Sequence, residues 1–524
     1  CDGKWIMIDL GLSFADDKYP GVDLLVPKMD FLDKISNDLE AIVISHGHED
    51  HAGAVSFFTD RIKCPVYATG FAKSLIENRL KEFGKIDNIE LVTINPKKTI
   101  KLKNFDLNFI STTHSIPEPY SILIGTNYGN LLHTADWKID HKPLIGESFN
   151  SKLFEDIGNQ GLIALIGDST NATTPGFSRS EFEVREELVK LFSRYNHRII
   201  TTCFSSNIAR MESIAIAAKK NNRKIAIVGR SMKKTIEAAK KNHLIKNLQN
   251  FIEEDEIPNI PRENLVIICT GSQGEKRSAL YRIAYKAHNN IHLENGDLVI
   301  FSSRDIPGNE KLINNLKNLI LKQKVEIITS DDDLVHVSGH GYAEEIKDMY
   351  NWTRPFISVP VHGELNHLIA HSKLAQSCQV PFTKILENGN CLKLAPNEPE
   401  LYGKIIEVGK MIVEGKKLYD TDSDFIKDRR KFSFEGIILV SIIIYQDFTL
   451  HKDVKISFNG LPPHKYEDFC NTFKSIFIKD YLTMGDENKS SDLKIGELIK
   501  KTVRKMIKED SGKKPQINSH IIRI

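Results

Sequence analysis

The amino-acid sequence predicts a multi-domain α/β protein that closes with a small α+β domain. Three observations carry this expectation. From residue 1 to about 180, short apolar strands alternate with helix-like stretches, and several strands run straight into polar residues: AIVIS before His46, LNFIS before His114, NLLHTA before Asp136 and LIALIG before Asp168. Between about 181 and 335 the alternation resumes with other strand-end loops, RIITTCFSS, KIAIVGRSM, LVIICTGSQGE and LVIFSSRDIPGN. The charged stretch DSDFIKDRRK, Asp422 to Lys431, then reads as a boundary before a different, smaller region. Alternating strands and helices build layered sheets whose functional groups sit on loops beyond the strand ends.

Taken in order, residues 1–180 are the first part of one α/β domain. The chain opens at Cys1 and enters the strand KWIMIDLG at once, so a further N-terminal strand is expected ahead of residue 1. Residues 181–340 form a second α/β unit, 341–425 return to the first domain and a linker, and 426–524 form the C-terminal domain. In that last region Gly436 to Tyr445 (GIILVSIIIY) is about half the roughly 20 residues a membrane-spanning helix needs, and its β-branched content predicts a buried strand. Leu493 to Lys508 predicts a basic amphipathic helix whose charged side is open to solvent, RNA or a second subunit. No internal repeat or low-complexity tract is present.

Composition narrows the class. At 524 residues the chain exceeds what a single core supports, and 41% hydrophobic with 27% charged residues is the balance of a folded globular protein. With 71 basic and 69 acidic residues the net charge is +2, so any polyanion must be met by a local groove and not by a global field. The seven cysteines, Cys1, Cys64, Cys203, Cys269, Cys378, Cys391 and Cys470, are scattered and never form a C-x-x-C pair. That pattern argues against a thiolate zinc site or a disulfide framework and for a reducing, cytoplasmic location without a membrane partner.

The densest chemistry is His46-Gly-His48-Glu-Asp50-His51, four potential ligands in six residues between an apolar strand and the helix-like AGAVSFF. In an extended loop His46 and His48 point the same way, while Asp50 and His51 turn at the helix start, so one loop can serve two adjacent metals. Imidazole and carboxylate without thiolate suit Zn²⁺ or Mn²⁺. The bland alternative is a solvated histidine-rich loop. His114, Asp136 and His362 follow at further strand ends, where each alone would be read as structural.

The order H-x-H-x-D-H, His, Asp, distant His resembles the metallo-β-lactamase superfamily. The resemblance implies an αββα sandwich in which His46, His48 and His114 hold one metal, Asp50, His51 and His362 the other, and Asp136 bridges them. Two cations about 3.5–4 Å apart generate hydroxide near neutral pH and neutralise charge on a phosphoryl oxygen. Five further stretches, GDSTNATTPGFSRSE (167–181), TGSQGE (270–275), FSSRDIPGNE (301–310), HVSGH (336–340) and PVHGE (360–364), resemble the β-CASP nucleases and among them the ribonuclease J family. This likeness runs from IDLG at residue 8 to the GKKP segment near the C-terminus, and it implies a β-CASP domain inserted into the sandwich.

By that resemblance Asp168 matches the acidic motif A, His340 motif B and His362 motif C, where a histidine marks the RNA-acting branch and a valine the DNA-repair branch. The candidate catalytic residues are His340, Asp168 and Asp50. His340 is placed to protonate the departing 3′ oxygen, or else to orient a ligand, and Asp168 to fix a histidine tautomer from behind. His336, Val337, Ser338, Gly339 and His340 resemble the family's substrate segment, in which small residues let backbone donors approach a phosphate. Ser272, in the turn Gly271 to Gly274, is a further phosphate candidate against the reading of an ordinary turn. Arg230 and Ser231, with Ser205, Ser206 and Asn207, are the remaining candidates along an RNA strand. Asp9 is read as support behind the ligands, with a structural cation as its other role. Where the family often continues TGSQGE with Pro-Met, this chain has Lys276 and Arg277.

The activity implied is a 5′-to-3′ exoribonuclease on single-stranded RNA with a 5′-monophosphate, with endonucleolytic capacity, acting in rRNA processing and mRNA turnover. A homodimer or homotetramer through the C-terminal domain is implied as well. Two rivals stand beside it. One is a small-molecule hydrolase, a thioesterase or lactonase, on the same scaffold. The other is an RNA-binding subunit without activity, which the filled ligand positions disfavour.

Overall fold

The structure, a computed structural model, describes residues 1–245, 251–461, 466–510 and 512–524. These residues divide into two units, one of residues 1–12 and 27–409, the other of residues 13–26 and 410–524.

The larger unit contains two sheets packed face to face. A four-stranded parallel sheet has the order Trp5–Ile8, Leu39–Ile44, Val66–Ala68, Leu91–Thr93. A seven-stranded mixed sheet runs Phe382–Thr383, Ile357–Val361, Leu162–Asp168, Gly129–His133, Tyr120–Thr126, Asp106–Ser111, Ile100–Lys101. Strand side chains alternate between faces. Accordingly Ile122 and Ile124 point inward with Leu107 and Phe109 against Ala41 and Val43 of the facing sheet. Leu123, Leu132 and Leu165 point outward beneath helices Ser151–Gln160, Ala343–Thr353 and Leu365–Ser377, whose Phe154, Met349 and Ala375 complete that layer. Two sheets between helices is the αββα sandwich that the resemblance implies.

Between the sandwich strands Leu162–Asp168 and Ile357–Val361 the chain builds a separate five-stranded parallel sheet. Its order is Lys224–Val228, Leu265–Cys269, Ile199–Thr202, Leu298–Phe301, Glu326–Ile328. Parallel strands covered on both faces read as unbroken apolar runs, and LVIIC and LVIF are buried at every position. Helices Glu181–Ser193, Ile208–Lys220 and Arg230–Lys241 bury Leu188, Met211 and Ile236 on one face, and Ala279–Ala284 with Glu310–Leu321 bury Leu280 and Leu316 on the other. Each such side chain, fully removed from water, contributes roughly 1.5–3 kcal/mol.

The smaller unit joins residues 13–26 to the C-terminal region. Short strands Ser13–Phe14 and Leu24–Pro27 share a sheet with the hairpin Lys410–Glu414 and Lys417–Asp420. A second sheet has Ile437–Ile444 between Lys455–Asn459 and Gln516–Arg523. The run expected as a buried strand is a strand, in which Ile438, Val440, Ile442 and Ile444 are buried against Phe473, Phe477, Ile499 and Val503. The other face of that strand is partly exposed, because the described helices of this core pack on one side alone. The basic helix spans Asp492–Asp510 and buries Ile495, Ile499, Val503 and Ile507. Among the described residues no helix is long and apolar enough to cross a membrane.

Candidate metal centre

One edge of the sandwich collects the polar loops. Asp106–Ser111, Gly129–His133, Leu162–Asp168 and Ile357–Val361 run in the same direction through the larger sheet. His114, Asp136, Asp168 and His362 therefore emerge together where these strands end. Strand Leu39–Ile44 of the facing sheet delivers Ser45 and the His46–His51 loop to the same place. His48 is extended (φ −66°, ψ 152°) and starts the short helix Glu49–Ala52, so the chain turns between His48 and Asp50. Gly11 lets the IDLG loop lie directly on that turn, since a Cβ there would fall 1.6 Å from the Asp50 carbonyl oxygen.

The turn separates the ligands into two groups. His46, His48 and His114 gather with Asp136, and Asp50 and His51 gather with His362, each residue offering an atom within 4.8 Å of the others in its group. Asp136 reaches both: its Oδ2 lies 3.6 Å from His46 Nε2, 3.5 Å from His114 Nε2 and 3.3 Å from His51 Nε2, and its Oδ1 lies 3.7 Å from His362 Nδ1. A further group of Asp136, Asp168, His340 and His362 adjoins them.

The hydrogen bonds outside the cluster decide which nitrogens face inward. His114 Nδ1 donates to the Gly339 carbonyl at 2.6 Å, which leaves Nε2 as a bare lone pair. His46 Nδ1 is paired with Ser45 Oγ at 3.0 Å. Both Nε2 atoms then lie 3.1 Å from His48 Nδ1. Burial drives His48 down to about 4 and holds His46 and His114 well below the ordinary histidine range, so all three are neutral near pH 7. Neutral imidazole nitrogens gathered this closely beside a carboxylate are the donor set that a divalent cation takes. Across the cluster His51 Nδ1 donates to Asp9 Oδ2 at 2.7 Å while its buried Nε2 has no hydrogen-bond partner. These residues fit a bound metal.

Supporting groups hold the ligands. Asp9, in a left-handed conformation (φ 63°), accepts from Ser45 N at 2.7 Å, from Ser45 Oγ at 2.8 Å and from His51. This is the supporting role expected of Asp9. Ala135 and His362 are also left-handed (φ 50° and 56°), and non-glycine residues so placed cost of order 1–3 kcal/mol each. His133, which sequence reasoning did not single out, accepts from Ala135 N at 3.1 Å and so shapes the approach to Asp136.

His340 Nδ1 donates to Asp168 Oδ2 at 2.7 Å, and its Nε2 lies 3.9 Å from Asp136 Oδ2. Burial opposes charge on this imidazole, but Asp168 and Asp136 outweigh it and raise its pKa. The other Asp168 oxygen accepts from Thr170 N at 2.9 Å and Thr170 Oγ1 at 2.7 Å. Burial pushes Asp168 up, and its histidine partners, His340 first, bring it well below the usual carboxylate range. Thr170 Oγ1 also lies 2.9 Å from His362 Nδ1, while His362 Nε2 is 3.4 Å from Asp50 Oδ2.

The segment before His340 is tied from several directions. Asn171 Nδ2 donates to Ser338 Oγ at 2.8 Å and to the His340 carbonyl at 3.1 Å. Gly339 sits against the His114 ring, where a Cβ would come within 2.8 Å of His114 Cε1 and Nδ1. Its known contact is thus the carbonyl to His114. Arg210, completely buried, donates through Nη1 to the carbonyls of Ser302 and Val335, both at 2.9 Å, and is paired with Glu181 at 2.8 Å through Nη2. His336 lies 3.4 Å from Arg210 Nη1; burial first, then the charges of Arg210 and Arg304, hold it neutral. Val337 is buried.

Other sequence candidates lie elsewhere. Arg230 and Ser231 open the helix Arg230–Lys241, and among the described residues no hydrogen bond or ion pair joins them to the metal cluster. Asn207 caps helix Ile208–Lys220 through Arg210 N at 2.9 Å. In the Gly271–Gly274 turn, Gln273 N donates to Glu275 and Gly274 N to the Gly271 carbonyl, so these two amides are already used. Ser272 is 2% exposed there. Gln273 itself donates to the Arg304 carbonyl at 2.9 Å and accepts from Ile306 N at 2.9 Å, so this turn positions the FSSRDIPGN loop. The signal missed was within GDSTNA: Thr170 and Asn171, directly after Asp168, carry much of the assembly.

With this geometry in place, comparison with known proteins defines the class. Residues 2–140 match the metallo-beta-lactamase superfamily, and residues 325–381 match a Zn-dependent metallo-hydrolase RNA specificity domain. The chain is therefore a hydrolytic, metal-dependent ribonuclease that binds RNA. Residues 196–320 match the ribonuclease J beta-CASP domain and residues 424–524 the ribonuclease J C-terminal domain. It is 37% identical over 525 residues to ribonuclease J of Sinorhizobium meliloti, covering 99% of this chain and 93% of that protein. It is 37% identical to ribonuclease J 1 of Streptococcus pyogenes over 83% of this chain and 78% of that one, and 31% identical to ribonuclease J2 of Bacillus subtilis over 84% and 80%. The chain belongs to the ribonuclease J family. Nothing in these matches supports the small-molecule hydrolase.

Proposed function

We propose that the cluster holds two divalent cations, Zn²⁺ or Mn²⁺, and that the enzyme shortens single-stranded RNA from a 5′-monophosphate end, with endonucleolytic cleavage as a second mode. His46, His48 and His114 would hold one ion and Asp50, His51 and His362 the other, with Asp136 in reach of both groups. When bound, such a pair supplies hydroxide near neutral pH and neutralises charge on the phosphoryl oxygens. The observation that carries this reading is the convergence of three neutral imidazoles beside a carboxylate that also reaches the second group.

The chain's own part is a proton transfer. Asp168 fixes His340 with its proton on Nδ1 and favours a second proton on Nε2, which faces the cluster. His340 gives that Nε2 proton to the 3′ oxygen leaving the cleaved phosphodiester, as a general acid. The His336–His340 segment carries the neighbouring phosphate, with Ser338 and the buried, unpartnered hydroxyl of Ser303 as donors. Arg230, Ser231 and Ser272 are more distant contacts along the strand. The seven unpaired, scattered cysteines favour a cytoplasmic setting, where rRNA processing and mRNA turnover provide substrates, and the C-terminal domain is the face for a dimer or tetramer.

Digestion of 5′-labelled RNA tests the direction. Release of labelled mononucleotide before any shortening of a 3′-labelled copy is expected. Internal fragments alone, with no 5′ mononucleotide, overturn the exonuclease.

A further inference from the structure

We propose that Arg304 is a specificity-determining contact to an RNA phosphate and that Asn171 is the positioning residue that holds it. The proposal rests on the reading that RNA lies along the His336–His340 segment. Four observations lead to it.

Arg304 is pinned at both ends although it is exposed. Its carbonyl accepts from Gln273 Nε2 at 2.9 Å, and its Nη1 donates to Asn171 Oδ1 at 2.9 Å. Fixing a long exposed side chain costs rotamer entropy, and a neutral amide returns little Coulomb energy for it. Secondly, no carboxylate forms an ion pair with Arg304 among the described residues, and its Nε and Nη2 have no acceptor there. A guanidinium with one donor anchored and others open is suited to phosphate.

Thirdly, the neighbouring cations are already compensated. Of the charges that reach His336, Arg210 is paired with Glu181 and Lys138 lies 3.6 Å from Asp140, whereas Arg304 has no acidic partner. His336 itself is neutral. Apart from His340, whose charge Asp168 balances, the positive charge available to a phosphate beside this segment therefore comes from Arg304. Fourthly, the anchor is part of the same assembly. Asn171 is 1% exposed, and its amide nitrogen donates to Ser338 Oγ and the His340 carbonyl while its oxygen takes Arg304. Only this orientation of the amide satisfies all three partners. One buried side chain thereby sets the distance between the guanidinium, the serine and the proton donor.

The ligand is a phosphate of RNA, either terminal or internal. Kinetics on one oligoribonucleotide with a 5′-phosphate or a 5′-hydroxyl separate the two sources. For Arg304→Met, KM is expected to rise about tenfold with kcat within about twofold, and the dependence of log KM on log salt to become shallower by about 0.7. A loss confined to the 5′-phosphorylated strand assigns the terminal phosphate, and an equal loss on both assigns an internal one. Arg304→Lys should restore the salt slope but only part of KM. Asn171→Ala should lower kcat and raise KM, and adding Arg304→Met to it should raise KM no further.

Unchanged KM and salt slope in Arg304→Met overturn the proposal, as does a fall in kcat alone, which would make Arg304 a structural clamp. Additive effects in the double variant overturn the role of Asn171. Fluorescence anisotropy with labelled RNA in a His340→Ala background gives the same comparison as a tenfold change in Kd. That arm does not depend on whether the wild type releases 5′ mononucleotides, so failure of the exonuclease reading and failure of this one are told apart.

Discussion

The metal-binding loop and the segment proposed to face the substrate are built on opposite plans. The loop His46–His51 carries four candidate ligands in six residues behind one strand, and the adjacent Ser45 with Asp9, 36 positions before it, supplies much of its support. The segment Val335–His340 has almost no support of its own. It is held by Arg210 and Glu181 from the inserted domain, by Asn171 from the sandwich and by the ligand His114 through Gly339. The difference teaches where tuning can occur. On the proposed reading chemistry is concentrated in a short stretch that a single change should destroy, whereas substrate handling is spread over remote elements and should alter by degrees. The two meet at the hydrogen bond from His114 to the Gly339 carbonyl.

The sharpest test of that contrast removes the metal. Replacing His48 and Asp50 with alanine takes one ligand from each group, and RNA cleavage should fall below detection, with metal content reduced by elemental analysis. Equilibrium binding of RNA should change by only a few-fold, because the phosphate-facing segment does not depend on these two side chains. Chelation should reproduce the loss, and added Zn²⁺ or Mn²⁺ should reverse it. Cleavage that persists in the double variant sinks the metal mechanism. Next in size is His340→Ala. Loss of a general acid lowers kcat by about 10²–10⁴-fold, with metal content and KM largely retained. A variant that loses metal instead would make His340 a ligand.

The same contrast explains what was legible in the sequence. The ligand loop could be read because its residues are adjacent, and His114, Asp136 and His362 because each follows an apolar strand. Asn171 stands inside a stretch that drew notice, yet its partners Arg304, Ser338 and His340 lie 133, 167 and 169 positions away. No local pattern reports such contacts. Arg210 is similar: within helix Ile208–Lys220 it resembles a surface arginine, and only the fold shows it buried against Glu181. The strand Ile437–Ile444 was foreseen but not its single buried face, since apolar residues occupy both faces and hide the period of two. Strands Ser13–Phe14 and Leu24–Pro27 are too short to show any period, and their place beside Lys410–Glu414 is set by pairing alone.

Gly339→Ala probes the point where the two plans meet. A Cβ would lie 2.7 Å from Ser115 Oγ and 2.8 Å from the His114 ring, so either the segment or the ligand must shift. Disturbing the group that orients a metal ligand lowers metal affinity or activity by about 10–100-fold. Both metal affinity and KM should move in this variant. If KM alone moves, the carbonyl does not orient His114 and the two regions are independent.

The smallest effect is expected at Arg230. This residue begins the helix Arg230–Lys241, whose Met232, Thr235, Ile236, Ala238 and Ala239 are buried, and none of its described contacts reaches the cluster or the segment. A phosphate met there would be far along the strand and in high dielectric, where one charge is worth little. Arg230→Ala should therefore leave kcat within about twofold and raise KM by less than about threefold, with the increase vanishing at high salt. Its effect should add to that of Arg304→Met, as expected for separate sites. A KM effect as large as that of Arg304→Met, or one that shortening the RNA fails to remove, would place Arg230 beside the cleavage point and widen the substrate-binding surface of the inserted domain.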